Sequence, residues 1–143
     1  MHFCAEMQLF TKDELKKLAV NVFTAMGCDR QDSETAADVL VSADIRGIDS
    51  HGVSRLSGYV SLWKAGRINM SPKVEIIRER KSTFTINGDG GLGLIVAPKA
   101  MNIAIERAKI YGSGWGAISN SNHFGIAGYH AMMALPHDMI GMA

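Results

Sequence analysis

Cysteine is nearly absent: Cys4 and Cys28 are the two in 143 residues, and they form no C-x-x-C pair. That excludes a disulfide-stapled scaffold and a paired-cysteine zinc site, and it fits two free thiols in a reducing compartment. With three prolines and no low-complexity tract, an extended proline-rich linker is excluded too. Charge of one sign is also missing. The 15 basic and 14 acidic residues are interleaved and leave a formal net charge of +1, so no electrostatic footprint for nucleic acid or an anionic membrane exists. No apolar run approaches the roughly 20 residues that span a bilayer, and the opening MHFCAEMQLF lacks the basic and long apolar regions of a secretory signal. A cytoplasmic location is the resulting expectation. No H-E-x-x-H or carboxylate-histidine spacing argues for a metal, and none is assigned.

What is present describes a globular chain, with 47% hydrophobic and 20% charged residues and a mean hydropathy of +0.05. A chain of this length buries roughly 70% of its unfolded surface, enough for a core without staples. The first third reads as helical. Thr11 with Glu14 forms a capping box, Leu15, Leu18, Ala19, Val22, Phe23 and Met26 recur at helical spacing, and Gly27 closes the helix. A second helix is capped by Asp29 or Asp32, buries Ala36, Ala37, Leu40, Val41 and Ala43, and ends at Gly47.

The stretch IDSHGVSRLSGYVSLWKAG predicts a third helix, capped by Asp49 or Ser50, with Val53, Leu56, Val60 and Trp63 as its apolar stripe and Gly66 at its end. On that helix His51, Arg55 and Tyr59 fall at i, i+4 and i+8, which places them on one face away from the stripe. Such a face is either solvated or a site. His51 in a first turn is disfavoured as imidazolium and stays available for proton transfer, and Arg55 offers a planar fork for a carboxylate. A proton carrier beside a carboxylate clamp suits 2-oxo acid chemistry.

Ser71-Pro72 marks a boundary between a helical region, 1–70, and a mixed α/β region, 71–143. Val74 to Arg78 and Thr83 to Asn87 read as a strand hairpin. The glycines of NGDGGLG, Gly88, Gly90 and Gly93, have the G-x-G-x-x-G spacing of a dinucleotide fingerprint. Their context is poor for one, because the preceding strand alternates, Pro98 delays the regular helix, and the next strand ends in Ser119-Asn120-Ser121 without a carboxylate. A glycine turn into a helix that ends at Gly112 is the competing reading. WGAIS reads as a buried strand, Ile126 to Leu135 as a short helix, and MIGMA as the start of another strand. Asn120 to Gly125 then occupies the carboxyl end of a strand, where α/β units bind ligands. His123 in that loop is solvated or functional, His130 is structural, and His2 and His137 carry no signal.

ADIRGIDSHGVSRLSGY, NGDGGLG and SNSNHFGIAGYHAMMAL together resemble the type-2 malate/L-lactate dehydrogenase family, along nearly the whole chain. The resemblance implies an α/β fold with an amino-terminal helical region followed by a non-Rossmann nicotinamide-cofactor domain, incomplete here because members run to more than twice this length. The glycine loop becomes a structural turn of that fold. His51 corresponds to the acid/base histidine of some members and His123 to that of others, Arg55 to the basic residue near the substrate carboxylate, and Ser50 and Tyr59 to secondary substrate contacts. His51 is favoured as proton carrier because Arg55 stands one helical turn away. Gly125 is the cofactor contact suggested within this segment, the others being expected beyond residue 143. The implied activity is NAD- or NADP-dependent interconversion of a 2-hydroxy and a 2-oxo acid by a homodimer. A truncated, catalytically silent ligand-binding or dimerisation module is the alternative.

Overall fold

A computed structural model describes residues 9–143, so Cys4 and His2 lie outside the described residues. Its elements are α1 (Lys12–Ala25), α2 (Arg30–Ile45), α3 (Leu56–Lys64), β1 (Glu75–Glu79), β2 (Thr83–Gly91), α4 (Gly93–Tyr111), β3 (Trp115–Ser121) and α5 (Ala127–Met132). The capping box holds as expected: Glu14 N–H donates to Thr11 Oγ1 at 3.3 Å, and Thr11 N–H donates to the Glu14 carboxylate at 2.7 Å. Asp29 rather than Asp32 caps α2, accepting from the Asp32 amide at 2.8 Å. The buried side of α1 runs through Ala19, Val20 and Phe23 while Leu18 faces solvent. It packs on Ala36, Ala37 and Leu40 of α2, and the same core takes in Leu92, Leu94 and Ile95 from the start of α4.

The third helix is shorter than its sequence suggests. Asp49–His51 and Val53–Arg55 are separate single turns of tighter helix, with Gly52 extended between them, and α3 begins only at Leu56. The cause is Asp44, at the far end of α2. Its carboxylate accepts the Val53 N–H at 2.9 Å and fills the space where a side chain on residue 52 would stand. His51, Arg55 and Tyr59 therefore do not share one exposed helical face. Tyr59 is 3% exposed and packs against Phe23.

The sheet has the order β1-β2-β3. β1 and β2 form the expected antiparallel hairpin, with Ile76 opposite Ile86 and an irregularity between Ile76 and Arg78. β2 and β3 run parallel, Ile86 opposite Ile118, joined by the α4 crossover. Phe84 and Ile86 of β2 are buried under Val96 and Ala100 of α4. β3 departs from expectation, since the WGAIS strand is exposed throughout: among the described residues no element covers its outer side. MIGMA forms no strand, and Ile140 is almost wholly exposed. The helix expected over Ile126 to Leu135 divides into α5 and a tight turn at Leu135–His137.

The regular part of α4 starts at Gly93, ahead of Pro98, which sits inside the helix and does not delay it. Leu92, Leu94, Ile95 and Val96 are fully buried, so the first amides of α4 do not open toward a pyrophosphate. Gly90 has φ +65°, and a Cβ on Gly93 would collide with the carbonyl oxygens of Asn122 and His123. These glycines make a tight strand-to-helix passage with a second loop laid directly on it. Gly93→Ala is expected to cost about 1 to 3 kcal/mol through overpacking against backbone, and Gly90→Ala about 1 to 2 kcal/mol through the left-handed penalty. Chemical denaturation of the chain checks both values, and unaltered midpoints would show that the passage tolerates side chains.

Candidate functional site

Ser50, His51 and Arg55 come from the turns that Asp44 holds in place. Ser50 Oγ lies 2.9 Å from His51 Nδ1, and Arg55 Nε donates to the Ser50 carbonyl at 2.6 Å. That second bond fixes the base of the guanidinium while its Nη groups, without a protein partner among the described residues, face solvent. Burial pushes the Asp44 carboxyl above the usual carboxylate range, opposed by the Val53 amide that favours the charged form.

His123 arrives from the other half of the fold, on the loop after β3. Asn122 anchors this loop: its side-chain amide donates to the carbonyls of Gly90 at 2.8 Å and Gly91 at 3.1 Å, and its own N–H donates to Gly91. The His123 ring stands 5.5 Å from that of His51, with an interplanar angle of 30°. Tyr59 Oη is 2.8 Å from His123 Nδ1, and the Gly125 N–H donates to the same nitrogen at 3.3 Å. An amide N–H cannot accept, so Nδ1 is the bare nitrogen and the ring proton sits on Nε2. Tyr59 then donates, in keeping with burial that pushes its phenol up to about 12. Burial, followed by the nearby Arg55 and His51 charges, pulls His123 below the ordinary histidine value of about 6.5. His123 is thus neutral at neutral pH, with a donor on Nε2.

The structure brings His51, His123, Arg55, Ser50 and Tyr59 together from two sequence regions. Tyr59 reaches the group through its buried hydroxyl, which meets His123 Nδ1. Gly125, with φ +79°, is buried, its α-carbon lies against Leu94 and Val39, and its N–H is taken by His123. Sequence reasoning missed Asp44 and Asn122. Asp44 carries a faint signal, as a lone carboxylate in an otherwise apolar helix end. Asn122 carries none apart from its loop. Among the described residues no three His, Cys, Asp or Glu side chains come together as a metal site, and no helix is long and apolar enough to cross a membrane.

A groove of about 930 Å³ lies between α4, β3 and residues 138–143; Ala100, Met101 and Ala104 give it an apolar wall, and Asn122 and Phe124, the neighbours of His123, line it while the five grouped residues do not. Comparison with known proteins gives this arrangement a context. Malate dehydrogenase of Pyrococcus abyssi is 48% identical over 132 residues, which are 92% of this chain and 36% of that protein. L-Sulfolactate dehydrogenase of Methanocaldococcus jannaschii is 45% identical over 127 residues, 89% of this chain and 37% of that protein. Among solved structures, the sulfolactate dehydrogenase of the same organism superposes with a TM-score of 0.90 at 42% identity, covering 92% of this chain and 38% of that one. Malate dehydrogenase of Pyrococcus horikoshii superposes at 0.87 with 46% identity, covering 90% and 37%. The chain spans a little over a third of the length of these relatives. Residues 10–143 match the malate/L-lactate dehydrogenase family, and the chain belongs to that family.

Proposed function

We infer that this chain carries the acid/base and carboxylate-binding groups of an enzyme interconverting a 2-hydroxy acid and its 2-oxo acid. One observation supports this above the others: His51, His123 and the unpaired Nη groups of Arg55 converge although they derive from distant parts of the sequence. Arg55, held at Nε, receives the substrate carboxylate in its fork. His51 is the proton carrier. Ser50 Oγ accepts from its Nδ1–H, so that Nε2 gives a proton to the carbonyl oxygen in reduction and takes it back in oxidation. His123 has a different task. With Nδ1 occupied by two donors its Nε2–H is a neutral hydrogen-bond donor, suited to polarising the substrate oxygen and ill suited to acting as base.

To the groove we assign the nicotinamide nucleotide. Its volume lies within the range of cofactor pockets, and its wall combines amide and hydroxyl groups on Asn120, Ser121 and Asn122 with the Phe124 ring. NAD or NADP, when bound, supplies or accepts the hydride at C2. Further cofactor contacts belong to a chain of the relatives' length. We read that enzyme as a cytoplasmic homodimer. The second reading, a silent binding or dimerisation module, draws on the bare β3 edge, where Trp115 is 58% exposed.

In the full-length enzyme Arg55→Lys is expected to lower kcat/KM by about 1 to 3 kcal/mol, since lysine keeps the charge and loses the fork. Unchanged kinetics with a panel of 2-oxo acids would remove Arg55 from the site. His51→Ala should lower the single-turnover rate of hydride transfer by roughly 100-fold and erase the matching limb of its pH profile. His123→Ala should weaken substrate binding more than turnover. A near-normal rate in His51→Ala with collapse in His123→Ala would give the proton to the loop. No turnover of any 2-hydroxy acid by the unaltered full-length protein would favour the silent module.

A further inference from the structure

His130 in α5 is 1% exposed, and no part of the chemistry above uses it. Its Nε2 lies 2.8 Å from the Phe124 carbonyl oxygen. A carbonyl can only accept, so Nε2 carries the proton and Nδ1 is a bare lone pair. That Nδ1 is buried and has no partner among the described residues. The ring also stacks on Phe124, at 5.1 Å between centroids and 13° between planes, and meets the edge of Tyr129 at 5.5 Å and 78°. A phenyl ring would stack equally well without burying an unsatisfied acceptor. What histidine adds at this position is the donor to Phe124.

Phe124 stands between His123 and one of the two donors that fix its tautomer. His123 precedes it, and Gly125, whose N–H reaches His123 Nδ1, follows it. The other anchors of the loop lie on either side: Asn122 is tied to Gly90 and Gly91, and Gly125 rests on Leu94 and Val39. The Phe124 peptide itself has the His130 bond. We propose that His130 is a positioning residue that holds the Phe124 peptide, so that His123 keeps Nδ1 on Tyr59 and Gly125 and presents Nε2–H to the substrate. The proposal rests on the role assigned to His123 above, yet the chain of contacts is testable without catalysis.

The test is a ring-resolved NMR titration of His123 in the 143-residue chain, alone and with His130→Phe or His130→Gln. The groups facing His123 are Arg55, His51 and Tyr59, and none of them is altered by these substitutions. In His130→Phe the loop relaxes toward solvent, and the His123 midpoint is expected to rise toward the ordinary histidine value. His130→Gln, whose side-chain amide can donate in place of Nε2, should reverse most of that rise. A folded His130→Phe chain with an unmoved His123 midpoint reduces His130 to packing and overturns the proposal. Should that variant fail to fold, ring nitrogen shifts of the unaltered chain decide, because a bare Nε2 on either His130 or His123 overturns it equally. A full-length His123→Ala enzyme with unchanged substrate binding and turnover would sink the functional reading instead and leave the contact chain standing.

Discussion

The close approach of two backbones at Gly93 governs the rest of the site. The Asn122 and His123 carbonyls lie where a Cβ on residue 93 would stand, so the loop after β3 rests directly on the first turn of α4. Hydrogen bonds lock this seam from both sides. Asn122 donates to Gly90 and Gly91, while Asn69, from the end of the helical region, donates its own N–H to Gly90 and its side-chain amide to Asp89. One glycine turn thereby ties three segments together that are far apart in sequence. With a side chain at residue 93 the loop would stand off the helix, and His123 would not reach Tyr59.

A second constraint acts on the helical half. Asp44 fills the place of a side chain at Gly52 and caps Val53, which divides what would be one continuous helix into two short turns and α3. The division lets residues with opposite needs sit a few positions apart. Ser50, His51 and Arg55 remain accessible, while Tyr59 turns inward onto Phe23 and directs its hydroxyl at His123. A partly buried carboxylate is costly unless it is hydrogen-bonded, and the Val53 amide meets that requirement.

Most local signals were legible in the sequence, though Asp29 and Asp32 stood as equal candidates for the α2 cap and neither Asp49 nor Ser50 caps a helix. The Thr11–Glu14 box, the Asp29 cap and the glycines ending α1, α2 and α4 work within four residues, and sequence displays such contacts directly. The hairpin and the alternation of Phe84 and Ile86 were legible for the same reason. The site residues were visible as residues but not as an arrangement. Helical periodicity put Tyr59 on a polar face because periodicity cannot show a break imposed by Asp44 from another helix. The WGAIS run looked buried because apolar strands usually are. Its exposure here reflects what covers its outer side, and among the described residues no element does. Pro98 misled in a similar way, since burial of Leu94, Ile95 and Val96 holds the first turn of α4 in place of intrinsic propensity.

The two histidines differ in what touches Nδ1, and that difference separates their chemistry more sharply than position does. A serine hydroxyl can accept as well as donate, so Ser50 Oγ can take the His51 Nδ1–H whether or not Nε2 is protonated. A backbone amide can only donate. With the Gly125 N–H directed at His123 Nδ1, a second proton on that ring would face a donor, and the nearby Arg55 and His51 charges oppose it further. In the proposed reaction, cycling a proton therefore falls to the ring whose neighbour can accept, and holding an oxygen falls to the ring whose neighbours donate. Two imidazoles 5.5 Å apart can serve one substrate oxygen without competing for the same proton. The loop seam at Gly93 keeps them that way, because it sets where the Gly125 amide points.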